Sequence, residues 1–180
     1  YASDDYMATK AAEHPVHFEW VASIHPYDPK ALDRLDAAVA RQRGFIVVNQ
    51  PEEAEVVLMS LCTPSELLHP GHFFGARYRE GDTGFKAGST DYEAFQRASS
   101  LRPTVVAIYL ERPADLARIA SAASAIVGHF GISAEALFDV LTGTLALQGR
   151  LPYDSPRTGS EQAAAGLALR LGEGLSYGEC

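Results

Sequence analysis

Two short apolar runs separated by one crossover constrain this chain more than anything else in it. TVVAIYL (104–110) and SAIVGHF (124–130) are each bounded by breakers, the pattern of a strand buried on both faces. Parallel neighbours need a connection of about a dozen residues, and residues 111–123 supply one. Pro113 predicts a helix start inside that connection, because its φ is already set for a first turn. A second helix is expected from Ser133, its N-cap, to Gly143, a left-handed C′ residue. Residues 101–152 therefore read as a βαβα unit, with function expected beyond the strand ends.

The flanks extend the same alternation. In residues 1–27 only HFEWVASI (17–24) resembles a strand, and imperfectly. Asp28-Pro29 predicts a helix with Leu32, Leu35, Ala38 and Val39 on one face, ended by Gly44. FIVVN (45–49) and VVLMSL (56–61) read as strands joined by a short connection or helical turn over 50–55. Residues 62–90 form a long glycine-rich connection, and loops of that kind are usually functional or mobile. Thr90 and Glu93 fit a capping box, opening a helix with Tyr92, Phe95 and Ala98 on one side and an end near Arg102-Pro103. After Pro152 the chain is loop-rich, with a short helix expected over 161–169. The predicted fold class is α/β: a mostly parallel sheet flanked by helices on both faces, a three-layer α/β/α sandwich. The expected organisation is one domain over 1–180, with a weakly patterned segment 1–27, a core 28–152 and a tail 153–180.

Composition removes several function classes. A chain of 180 residues, 47% hydrophobic and 21% charged, suits one domain burying roughly 70% of its unfolded surface. A formal charge of −8 without any basic run argues against nucleic-acid and anionic-membrane partners. No apolar run approaches the ~20 residues of a membrane helix. Cys62 and Cys180 make no disulfide framework. His14/His17 and His69/His72 share an H-x-x-H spacing, but zinc needs three or four converging ligands, and Pro70-Gly71 breaks the second pair. No metal and no cofactor are expected. Ser60 and Cys62 lack a nucleophile elbow, and no glycine-rich phosphate cradle follows a strand. A start at Tyr1 suggests a processed or excised piece. Compartment stays open between bacterial cytoplasm and secretion, and so does oligomer formation.

DVLTG (139–143) followed by Gly149-Arg150 and LPYD (151–154) resembles a signature of the C-terminal α/β sandwich domain of family 3 glycoside hydrolases. Pro103-Thr104-Val105-Val106 and Arg112-Pro113 match the segment before it, and Gly172-Glu173-Gly174-Leu175-Ser176-Tyr177 is similar to the close of that domain. The matches run in family order across 101–177; residues 28–61 fit more loosely. The resemblance implies a β-glucosidase-type enzyme whose barrel domain supplies the Asp nucleophile, while this domain covers the sugar site and sometimes contributes the acid/base Glu. Nothing in the chain resembles that barrel, so alone it is expected not to hydrolyse glycosides. The partners implied are a barrel domain and a carbohydrate substrate. The competing reading is an α/β module that binds a carbohydrate or partner without catalysis.

Glycoside hydrolysis normally uses two carboxyl groups, one as nucleophile or base and one as proton donor. Many sugar-cleaving members place a Glu just after the glycine matching Gly131, but Ile132 and Ser133 stand there, and Glu135 is the nearest carboxylate. Its plainer reading is a first-turn acid favoured by the helix dipole. Glu80 and Asp82 lie in Arg79-Glu80-Gly81-Asp82-Thr83-Gly84-Phe85, similar to a glycine-rich acidic loop of β-glucosidase-type members, with Lys86 departing from it. Glu80, Asp82 and Glu135 are thus the acid/base candidates, one at most. Arg77, Tyr78, Phe85 and Arg112 are the sugar-binding candidates. Phe73, Phe74, Tyr78 and Phe85 either stack on a sugar or pack the loop. Glu111, directly after its strand, is expected to pair with Arg112 or another arginine nearby.

Overall fold

The computed structural model describes residues 37–72, 79–155 and 169–175. Contacts divide the chain into two compact units, one formed by 1–47 with 131–146 and the other by 48–130 with 147–180. The larger unit carries a three-stranded parallel sheet in the order β1-β2-β3, with β1 at Val57–Cys62, β2 at Thr104–Tyr109 and β3 at Ala125–His129. This is an α/β fold. Helix α1 (Thr90–Leu101) lies in the β1-to-β2 connection, and helix α2 (Ala117–Ala120) lies between β2 and β3.

Strand β2 is the middle strand, and its β-branched run explains the position. Thr104, Val106, Ala107 and Ile108 lose all solvent contact, as expected for a parallel strand covered on both faces. Register pairs Met59 with Val106 and Leu61 with Ile108, so these four share one face. Phe95 of α1, Phe85 of the long loop, and Leu110, Ala114, Leu116 and Ile119 complete that core. Each large apolar side chain buried there contributes about 1.5–3 kcal/mol.

The smaller unit has helical residues 37–42, ended at Gly44 by two backbone bonds, Gly44 N–H to Arg41 O and Phe45 N–H to Ala40 O. That pairing is a Schellman motif. Its second helix, α3 (Ala134–Leu141), buries Ala134, Leu137 and Phe138. Ser133 is its N-cap, the hydroxyl accepting from Ala136 N–H, and Gly143 follows at φ 75°. Arg43 pairs with Asp139. The helix expected from Asp28 is seen only in residues 37–42, its start lying outside the described residues, as do the strand expected at 17–24 and most of the helix at 161–169.

Four expectations need correction. FIVVN forms no strand: Phe45 packs on Phe138 with centroids 5.7 Å apart, and Ile46 is 92% exposed. An apolar run becomes a strand only where a neighbour supplies the ladder. The strand read at 56–61 begins one residue later, at Val57. The crossover helix does not begin at Pro113, because Asp115 forms a bridge with Gly84 and its N–H donates to Thr83 O at 3.2 Å. Asp115 then accepts from Ala117 N–H at 3.0 Å, and α2 starts there. The capping box at Thr90 is absent as well. Ser89 is the N-cap, and Glu93 N–H bonds the Ser89 carbonyl instead. A 3-10 turn at Pro51–Glu53 matches the expected connection.

Truncations separate these assignments. Ile108→Ala is expected to cost about 2–5 kcal/mol, as for a fully buried aliphatic. Ile46→Ala is expected to stay within about 0.5 kcal/mol. Urea denaturation of both variants is the check, and a large cost at Ile46 would restore the strand.

Candidate functional site

The carboxyl ends of the three strands fall in one row. Register places Cys62 beside Tyr109 and Tyr109 beside His129. The Tyr109 and His129 rings stack at 5.6 Å with 17° between planes. Burial pushes the Cys62 thiol up, with the nearby Glu111 carboxylate adding to the effect, and burial pulls the His129 imidazole down. Both therefore favour their neutral forms. Past the strands, Thr63 continues the ladder through N–H to Tyr109 O at 3.0 Å, and Leu110 N–H reaches His129 O at 2.8 Å.

Above this edge the described residues of the long loop are tied down by specific bonds. Glu66 and Glu80 form an antiparallel bridge, with Glu66 N–H to Glu80 O at 2.9 Å. Arg79 grips Glu111 through Nε at 2.6 Å and a second nitrogen at 3.4 Å. Glu111 thus pairs with a nearby arginine, as anticipated. Arg112, directly after it, donates to the carbonyls of Pro64 at 2.8 Å, Glu80 at 3.1 Å and Gly81 at 3.3 Å. The buried Thr63 hydroxyl donates to the Arg112 carbonyl at 3.0 Å.

The corner 80–82 turns at Gly81, where φ is 71° and a Cβ would lie 2.1 Å from the Glu66 carboxylate. Glu66 fills that space to accept from Asp82 N–H at 3.1 Å and Lys86 Nζ at 2.5 Å. The Lys86 hydrogen bond, reinforced by the Asp82 N–H, holds the Glu66 carboxyl below its ordinary range. Asp82 accepts from Gly84 N–H at 2.9 Å and faces Lys86 at 3.4 Å. Glu80 has a different partner: both its oxygens stand 2.9 Å from His69 Nδ1.

The structure thus brings Glu80, Asp82 and Arg112 together beyond the ends of β1 and β2. Glu135 lies in the other unit, in the first turn of α3. Phe85 is 3% exposed and packs in the core, which is its packing reading rather than sugar stacking. Arg77 and Tyr78, with Phe73 and Phe74, lie outside the described residues. Glu66 and the strand-end row were not legible in the sequence; the row lies within one residue of the end of each apolar run, at Cys62, Tyr109 and His129. Among the described residues no group of His, Cys, Asp and Glu could hold a metal ion, and no helix is long and apolar enough to cross a membrane.

A periplasmic beta-glucosidase/beta-xylosidase of Dickeya chrysanthemi is 41% identical over 125 residues, 69% of this chain and 19% of that protein. Beta-glucosidase C of Emericella nidulans is 31% identical over 160 residues, 81% of this chain and 24% of that protein. A probable beta-glucosidase C of Aspergillus oryzae is 29% identical over 161 residues, with the same coverage of 81% and 24%. The chain is therefore homologous to one part of proteins named beta-glucosidases, and spans 19–24% of the length of these relatives. No family model matches it, and no solved structure matches significantly.

Two outcomes check this geometry. Gly81→Ala is expected to destabilise by about 1–2 kcal/mol, the cost of a left-handed alanine, before displacement of Glu66 is added; urea denaturation matching wild type would contradict the corner. In a Cys180→Ser background, Cys62 is expected to alkylate with iodoacetamide more slowly than a free peptide thiol at mildly alkaline pH, because the thiolate is the nucleophile. A rate equal to the free thiol's would show that the strand end is open.

Proposed function

We propose that this chain is the C-terminal α/β domain of a family 3-type glycoside hydrolase that cleaves β-linked glucosides or related sugars. In this reading it packs on a barrel domain that supplies the nucleophile, and it lines the sugar site with the corner 80–82. The 41% identity to the Dickeya beta-glucosidase/beta-xylosidase carries the proposal. The position of Glu80 and Asp82 beyond strand ends, where open α/β sheets bind ligands, supports it.

The two acids are not equivalent. Asp82 spends its oxygens on Gly84 N–H and Lys86, which close its own turn. Glu80 faces His69, whose imidazole is exposed. An acid that protonates a leaving oxygen recovers its proton from the water that hydrolyses the glycosyl-enzyme, and Glu80, outside the turn that Asp82 closes, is the carboxyl open to do so. Glu80 is therefore the proton donor in this reading, and Asp82 shapes the corner. The rival is a non-catalytic module binding carbohydrate or a partner. The sequence supports it at Ile132-Ser133, where Ser133 serves as a helix N-cap instead of an acid.

Aryl β-glucoside hydrolysis by the full-length product carrying this chain decides between them. Glu80→Gln is expected to lower kcat by roughly 10²–10⁴-fold, the usual contribution of general acid catalysis. Asp82→Asn is expected to act mainly on stability, and Glu135→Gln to leave the rate near wild type. The 180-residue chain alone is expected to be inactive. Full activity in all three variants would remove the acid assignments, absence of hydrolysis by the full-length product would favour the non-catalytic module, and an active isolated chain would overturn the family reading.

A further inference from the structure

Arg112 was a candidate for holding sugar, yet its surroundings leave it a different task. Its terminal nitrogens donate to the carbonyls of Pro64, Glu80 and Gly81. Its Nε is buried and has no hydrogen-bond partner among the described residues. A planar fork committed to three backbone carbonyls has its terminal groups turned into the loop. Those carbonyls belong to two segments, Pro64 just after β1 and Glu80-Gly81 at the acid corner, while Arg112 itself follows β2. The side chain therefore ties the corner to the ends of two strands.

Its own position is equally determined. Leu110 N–H is bonded to the His129 carbonyl at the end of β3, and the Arg112 carbonyl takes the Thr63 hydroxyl. Neighbouring Glu111 is held by Arg79, one residue before Glu80. Pro113 then fixes φ directly after Arg112. Rigid strand ends, one arginine and a glycine corner form a continuous mechanical path to Glu80.

We infer that Arg112 is the positioning residue of the acid corner: it sets where the Glu80 carboxyl stands and does not touch the sugar. This rests on the reading of Glu80 as proton donor. A general acid works only within hydrogen-bond reach of the leaving oxygen, and misplacement by about 1 Å costs on the order of 10²-fold in rate. Lysine at this position keeps the charge but offers a point ammonium in place of the fork.

The test compares Arg112→Lys, Glu80→Gln and wild type in the full-length product with an aryl β-glucoside, measuring kcat and KM separately, with amide exchange of Asp82 and Gly84. Arg112→Lys is expected to lower kcat by roughly 10–100-fold, to leave KM within about threefold, and to speed exchange at both amides. A raised KM with unchanged kcat would mean that Arg112 binds sugar, which overturns the inference. Unchanged kcat and KM beside an impaired Glu80→Gln would also overturn it, leaving the acid assignment standing. Unimpaired Glu80→Gln would remove the acid assignment itself, and the inference with it. Where Arg112→Lys fails to fold, Thr63→Val replaces it: loss of the hydroxyl that holds the Arg112 carbonyl is expected to lower kcat at constant KM, and a wild-type kcat there overturns the inference.

Discussion

Everything in the larger unit hangs on the parallel pairing of β2 with neighbours on both sides. A strand with Thr104, Val106, Ala107 and Ile108 fully buried cannot slip, because a shift by one residue would exchange its two faces. Register is therefore set by burial, and the loops inherit that precision. Thr63 leaves β1, Glu111 and Arg112 leave β2, and each meets the long loop at a fixed height. The loop's ion pairs are partly exposed and individually weak. They orient a segment that the ladder has already anchored.

The sheet was legible because its strands are continuous apolar runs with breakers at both ends. TVVAIYL and SAIVGHF announced β2 and β3 nearly to the residue. FIVVN carries the same local pattern and formed no strand, since the pattern reports a tendency to be buried and is silent on whether a partner stands alongside. Helix stops were plainer than helix starts. Gly143 and Gly44 mark their ends by conformation, which is a local property. The start of α2 was displaced from Pro113 by the Gly84–Asp115 bridge, a contact between residues far apart in the chain. No local rule sees it.

The candidate site divides along the same line. Glu80 and Asp82 stood out by residue type and glycine flanks, and the pairing of Glu111 with an arginine was anticipated from charge. Arg112, a sugar-binding candidate, follows a strand at the end of the sheet where ligands bind. Its carbonyl partners are contributed by segments that only the folded loop brings near. Glu66 is invisible for the same reason: its role depends on the empty space at Gly81.

The strand-end row also bears on how such a domain can change. Leu61 and Ile108 lie side by side in the core, whereas Cys62 and Tyr109, one position on, point to the opposite face, with His129 beside Tyr109. Each side chain of the row arrives on a separate strand. Replacing one alters the surface beyond the sheet while the adjoining core layer keeps its volume. The fold thus gathers three side chains at one edge, two of them coupled through the stacking of Tyr109 on His129 and the third carried by the neighbouring strand.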